Sequence, residues 1–289
     1  MSKILVTGCA GFIGSHLVDS LVKSGHDVTG IDNLSSGLEE NINPEIHFIK
    51  KDIREDMQDF DFDYVFHLAA VPRVQYSVEQ PVETHDSNVN GALNILEHCR
   101  KNGVRKIIFA SSSSVYGDQL LPFKEEMQAD PKSPYSLQKR VGEEYMKLYD
   151  ELYGVPTISL RFFNVYGSRC RSDSEYSLVI GKFLKMKREG KPLTIFGDGK
   201  QSRDFTHVSS VVDACIKAMN CSIRNEIINI ANGKGTTINE IAEMIGGERK
   251  YLPPRVGDVL HTLGDNSKAK KLLNWIPSDV MIKEKLNEM

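Results

Sequence analysis

Lys3-Ile-Leu-Val-Thr7-Gly8-Cys-Ala-Gly11-Phe-Ile-Gly14 joins a short apolar run to three glycines, and from Phe12 to Lys23 apolar residues recur at Ile13, Leu17, Val18, Leu21 and Val22. That order reads as strand, turn and helix. Glycines between a strand and a helix allow a tight turn and close approach of backbone to a diphosphate; the helix N-terminus adds N–H groups and a partial positive charge. Asp32 follows the second apolar run, Asp27-Val-Thr-Gly-Ile31, and lies 18 residues beyond Gly14. This is close to the ~20-residue separation at which a carboxylate bonds both hydroxyls of an adenine ribose. A carboxylate would repel a 2′-phosphate, so the spacing favours NAD over NADP. The plain alternative for Asp32 is a turn residue in Asp-Asn-Leu-Ser-Ser-Gly. Asp52-Ile53, ending the third run, either meets the adenine or faces solvent.

Outward from this unit the pattern repeats. Further strands are expected at His47–Lys50, Tyr64–His67, Lys106–Ala110 and Thr157–Leu160, with helices from about Val82 to Lys101 and from Pro134 to Tyr153. Strands alternating with crossover-length helices mean an α/β fold with a doubly wound parallel sheet. Past about residue 165 the pattern loosens, with joints at Gly167-Ser168, Gly190 to Pro192, Gly197-Asp-Gly199 and Pro253-Pro254. The expected division is a nucleotide-binding domain over 1–165 and a smaller mixed α/β substrate lobe over 166–289, with some chain crossing back to the first.

The chain has 289 residues, 40% hydrophobic and 26% charged, with a net charge of -3. That is the composition of an ordinary globular protein, with no general basic field for nucleic acid or anionic lipid. Anionic ligands must therefore be held by local groups. Five cysteines at 9, 99, 170, 215 and 221 form no Cys-x-x-Cys pair, and their odd number argues against a disulfide framework. A reduced, cytoplasmic protein is expected. No leader, lipidation signal, metal-binding set or apolar run near the ~20 residues of a membrane span is seen.

Ser111-Ser-Ser-Ser114 follows the apolar run 106–110, and Tyr135 and Lys139 lie four apart on one face of the helix that Ser133-Pro134 would start. The bland reading is a serine-rich loop beside a surface helix. The end of a parallel strand, however, is where open α/β sheets place ligands. Tyr at its ordinary pKa of ~10 must lose roughly 3 units, about 4 kcal/mol, to act near pH 7. Lys139 one turn away and an oxidised nicotinamide ring could supply the positive charge, with Ser112 hydrogen-bonding the same substrate oxygen. These groups suit removal of a proton from an alcohol as its hydride passes to NAD.

The motifs Thr7-Gly-x-x-Gly-x-x-Gly14, Asp32-Asn-Leu, Asp52-Ile53, His67-Leu-Ala-Ala70, Ser111-Ser-Ser-Ser-Val-Tyr-Gly117, Tyr135-x-x-x-Lys139, Arg161-Phe-Phe-Asn164, Arg203-Asp-Phe205 and Arg255-x-Gly-Asp258 occur in order. From Lys3 to about Trp275 the chain resembles an extended short-chain dehydrogenase/reductase, and within it a nucleotide-sugar 4-epimerase of the UDP-glucose/UDP-galactose type. The resemblance implies a Rossmann sheet, catalytic Ser112, Tyr135 as base, and Lys139 on the nicotinamide ribose. It implies NAD contacts from Gly8, Gly11, Phe12, Ile13, Gly14, Asp32, Asn33, Ser35, Ser36, Gly37, Asp52, Ile53, Leu68, Ala69, Ala70, Ser87, Tyr135, Lys139 and Phe162. The UDP-sugar would meet Ser112, Tyr135, Asn164, Thr194, Ile195 and Phe196, with Arg203 and Arg255 as diphosphate and uridine anchors and Asp258 near the ribose. Arginines suit a diphosphate because each can bond two oxygens. His67 and His207 read as structural histidines. A homodimer through a helical bundle is also implied.

The implied reaction oxidises C4 of the hexose while Tyr135 takes the hydroxyl proton; the 4-keto sugar then turns and receives the hydride on its other face. Related dehydratases and decarboxylases place an acid just before Val-Tyr-Gly, where this chain has Ser113 and Ser114, so epimerisation is expected over elimination. Thr262 falls at the position whose bulk limits the group on sugar C2, and a small residue there leaves room for an N-acetyl group. The stretch Ser111 to Gly117 also resembles UDP-glucuronate 4-epimerases. A non-catalytic NAD-sensing protein on the same fold is the other class of reading, opposed by the presence of Tyr135, Lys139 and Ser112. Two stretches depart from the family pattern: Gly167-Ser-Arg-Cys-Arg-Ser, and the early end of the last helix.

Overall fold

The computed structural model describes the chain except residues 58–60, 171–178, 255–259, 279–281 and 287–289. The opening unit folds as strand β1 (Lys3–Thr7) and helix α1 (Phe12–Lys23), followed by β2 (Asp27–Asp32), β3 (His47–Lys50) and β4 (Tyr64–His67). Short helices α2 (Val74–Glu79) and α3 (Pro81–His85) precede α4 (Gly91–Asn102). Then come β5 (Lys106–Ser112), α5 (Pro134–Tyr153) and β6 (Thr157–Phe162).

The single helix expected from Val82 to Lys101 is interrupted by a π turn over Asp86–Asn90. There Asn88, buried, accepts from Val71 N (2.7 Å) and donates to Val71 O (3.2 Å) and to Gln138 Oε1 (2.8 Å). Such widened turns recur at functional sites, and this one pins the loop after β4 against α5.

Beyond residue 165 the chain forms α6 (Val179–Arg188), β7 (Leu193–Phe196), β8 (Ser202–Asp204), α7 (Val208–Asn220), β9 (Glu226–Ile230), β10 (Gly235–Thr237), α8 (Ile238–Ile245), β11 (Arg249–Leu252), α9 (Ser267–Leu273) and α10 (Ile282–Leu286). The main sheet has seven parallel strands in the order β3-β2-β1-β4-β5-β6-β9. Its last strand, and α7 on its face, thus come from the second half of the chain. The small lobe carries two two-stranded sheets, β10–β8 and β11–β7.

Apolar side chains alternate across the buried strands as a two-sided sheet requires. Ile108 joins a core with α1, α7 and Trp275, whereas Ile107 and Phe109 join one with α4 and α5. A third core, around Phe183, Leu193, Ile195 and Ile241, holds the lobe. All five cysteines are free thiols, and no described helix is long and apolar enough to cross a membrane.

Candidate active site

Two glycines show how closely the turn after β1 and the loop after β2 are packed. A Cβ on Gly14 would stand 2.0 Å from Gly8 O, and one on Gly37 would stand 2.9 Å from both Asp32 oxygens. The Asp32 carboxylate, buried and pushed up in pKa by that burial, accepts Ala10 N (3.1 Å) on one oxygen and Leu34 N (2.8 Å) on the other. An ionised carboxylate has about four acceptor positions, so two backbone donors leave capacity for ribose hydroxyls. Asn33 donates to Asp52 (2.8 Å), whose carboxyl the Arg54 guanidinium holds well below its usual range.

These residues open into one cleft of about 770 Å³ along the C-terminal edge of β1, β4, β5 and β6. Of the residues predicted for the cofactor, all but Gly37 and Asp52 line it. Ser112, Tyr135, Asn164, Arg203 and Thr262 line its other half. Thr194, Ile195 and Phe196 do not: they form β7, where Ile195 is fully buried in the lobe core. Arg255 and Asp258 lie outside the described residues.

Six cationic residues line the cleft, Lys51, Arg73, Lys132, Lys139, Arg169 and Arg203, against a single carboxylate among its described residues, Asp32. A chain of net negative charge has thus gathered a local basic field suited to diphosphates. Arg203 is braced by Nη1 donating to Ser202 O (2.9 Å) and Leu260 O (3.2 Å).

Helix α5 positions the reactive pair. Ser133 and Ser136 form a reciprocal capping box with Pro134 at the first turn. Tyr135 N, one of the helix's orphan donors, is capped from outside by Ser77 Oγ (3.0 Å). The neighbouring Ser112 hydroxyl favours the ionised form of the Tyr135 phenol, yet burial dominates and pushes the phenol up to about 12. Lys139 Nζ donates to Ala110 O (2.8 Å) and lies 4.9 Å from the Phe109 ring centre and 6.0 Å from that of Tyr135. Burial lowers its pKa to about 8, with Glu143 opposing the fall. Ser112 Oγ also accepts Ser114 N (3.2 Å), while Ser114 Oγ is buried without a partner.

His67 is buried and bonds Thr7 Oγ1 through Nδ1 (2.8 Å); burial, then Lys139, lowers its pKa to about 3. It is a neutral packing residue under the cleft. His207 caps α7 by accepting Ser209 N (3.3 Å). The sequence reading passed over Ser77, Asn88 and Gln138, which position site residues, and Val71 to Val74, Lys132 and Arg169, which line the cleft. Gln138 stands at an unspecified position of Tyr135-x-x-x-Lys139 and Arg169 in the divergent Gly167-Ser-Arg-Cys-Arg-Ser stretch; the others lie outside the quoted motifs.

A glycine cradle ending at an acid, facing a Ser, Tyr and Lys across one cleft, coincides with a family model, "NAD dependent epimerase/dehydratase family", that matches residues 4–231. The chain belongs to that family. A relative in Methanocaldococcus jannaschii named as a putative UDP-glucose 4-epimerase is 45% identical over 97% of this chain and 95% of its own length. The structure of UDP-N-acetylglucosamine 4-epimerase from Methanobrevibacter ruminantium M1, in complex with UDP-N-acetylmuramic acid, has a TM-score of 0.94 at 39% identity, covering 99% of this chain and 96% of that one. UDP-glucose 4-epimerase of Thermotoga maritima with UDP-glucose has the same TM-score at 38% identity and the same coverage. The protein is an NAD-dependent nucleotide-sugar 4-epimerase family enzyme, and NAD is its cofactor. Gly8, Gly11 and Gly14, lining the cleft where α1 begins, and the spare acceptors of Asp32 fit that cofactor without a 2′-phosphate.

Proposed function

We propose that this enzyme epimerises C4 of a UDP-hexose, interconverting UDP-glucose and UDP-galactose and also their N-acetylated counterparts. The observation that carries the reading is the convergence of Ser112, Tyr135 and Lys139 on one cleft whose described residues offer no carboxylate but Asp32 at the cradle. Tyr135 takes the C4 hydroxyl proton, Ser112 donates to the same oxygen, and Lys139 holds the ribose, its charge with that of the oxidised nicotinamide working against the burial that raises the phenol. NAD, when bound, accepts the hydride and returns it. With Ser113 and Ser114 where an eliminating enzyme needs an acid, the 4-keto sugar keeps its hydroxyls, turns, and takes the hydride back on its other face as Tyr135 returns the proton to the C4 oxygen. Arg203 and Arg255 anchor the diphosphate.

Room for an N-acetyl group rests on Thr262, a small cleft residue whose hydroxyl is engaged by Asn164 Nδ2 (3.1 Å) and Asp204 N (3.2 Å). A second reading, epimerisation of UDP-glucuronate, is favoured by Ser114, a cleft residue whose Oγ is buried with no partner and is a hydroxyl donor that a sugar carboxylate would satisfy. Incubating the purified protein with UDP-galactose, UDP-N-acetylgalactosamine and UDP-glucuronate and following C4 inversion by NMR decides between them. Turnover of the first two is expected. Turnover of UDP-glucuronate alone overturns the main reading, and Tyr135→Phe should lower any turnover by about 10²- to 10⁴-fold.

A further inference from the structure

Behind the cleft lies a charged group that the proton transfers do not use. Glu143, one helical turn beyond Lys139, is wholly buried; its carboxylate accepts Ser111 Oγ (2.6 Å), Arg161 Nε (2.7 Å), Arg161 Nη2 (2.7 Å) and Arg140 Nη1 (3.1 Å). We infer that Glu143 is a positioning residue for the reaction, fixing from α5 the strand end that presents Ser112 and standing one helical turn behind Lys139 as its counter-charge; this rests on the reading of Tyr135, Ser112 and Lys139 given above.

Two observations converge. Lys139 grips Ala110 O and Glu143 grips Ser111, so α5 holds two successive residues of β5 immediately before Ser112. Arg161 stands opposite Ser111 in the β5–β6 register, so the same carboxylate ties the neighbouring strand to this point. The electrostatics run the same way. An ammonium taken out of water tends to lose its proton; the face of the Phe109 ring and a carboxylate one turn along the helix both oppose that loss.

The groups around Lys139 show what else could act. On α5 these are Tyr135 and Glu143, with Arg140 and Glu144 paired at the outer side; His67 faces from β4 and is neutral. Arg161 faces Glu143 from β6, stacked 4.6 Å from the ring centre of Tyr116, and the half-buried Glu125 interacts with that tyrosine beyond. Glu143 is the anion that raises the Lys139 pKa.

The test is a pH profile of kcat for the cofactor-loaded protein on UDP-galactose. Glu143→Gln keeps an acceptor for Ser111 and removes the charge; the alkaline limb is expected to move down by about one pH unit or more, with KM little changed. Ser111→Ala, which breaks the same contact but leaves the charge, should not move the limb. Glu143→Gln leaves the Arg161 guanidinium without its counter-charge, so should the single variant be insoluble, Glu143→Gln/Arg161→Met is compared with Arg161→Met, and the limb is expected lower in the double variant. An unmoved limb in the soluble variant, or an equal movement in Ser111→Ala, overturns the inference. Tyr135→Phe is measured alongside. If it keeps turnover, the reading of the site fails; if it loses turnover while the Glu143 variants keep the parent profile, only the role of Glu143 fails.

Discussion

Gly14 and Thr262 mark two residues whose size is their function. Gly14→Ala places a methyl group 2.0 Å from Gly8 O. We expect a loss of about 3 kcal/mol in stability and poor NAD retention, read from the melting temperature and the absorbance ratio of the purified protein. Thr262→Tyr should cut kcat/KM for UDP-N-acetylgalactosamine at least about tenfold while sparing UDP-galactose; equal losses on both would show that Thr262 does not gate the C2 group. The glycines, Asp32, Tyr135 and Lys139 were legible in the chain because their chemistry demands short, fixed spacings. Ser77 was not. It caps Tyr135 from 58 residues away, and no local pattern announces a contact made only by folding.

At the scale of the element, α5 was readable from end to end, since Ser133-Pro134 starts it and Gly154, left-handed at φ 70°, stops it. What it rests against was less so. Ser77→Ala removes the acceptor for Tyr135 N and should cost about 1 kcal/mol, measured by denaturant unfolding. It should also lower kcat more than it raises KM, because the cap sits at the base itself. The interruption of the helix at Asp86–Asn90 escaped a reading based on apolar spacing, because its cause is polar: Asn88 reaches both backbone groups of Val71. A period of 3.6 cannot reveal a turn widened to bring one amide to a loop.

For the molecule as a whole, the buried ionisable groups set its tolerance of acid. His67 has its pKa lowered from 6.5 to about 3. A group so depressed contributes stability that is present above its unfolded value and lost as pH falls toward the folded one. Asp204 works in the opposite sense. Its carboxylate, buried, accepts Asn232 N, Gly233 N and Gly264 N, and burial raises it from 3.8 to about 6, so its contribution is fully present below 3.8 and fades as pH rises through about 6. The His67 change is the larger, so the melting temperature should fall between about pH 6.5 and pH 3. His67→Gln should flatten that decline, and an equally steep one would remove His67 as its source.

The lobe was the least legible part. Its sheets are pairs of strands of three or four residues, too short for alternation to be counted, and its substrate contacts were assignable only by resemblance.

The return of the chain from the lobe to the main sheet has a practical consequence. Strand β9 closes the edge beside β6, and α7 covers α1, yet both are made after residue 165. A fragment ending there would expose the flank of β6 and the apolar side of α1, while its complement would carry a sheet strand with nothing to pair with. Neither half is a free-standing module, and the pair should behave as a split protein, insoluble when expressed singly and recovered when the two fragments are produced together.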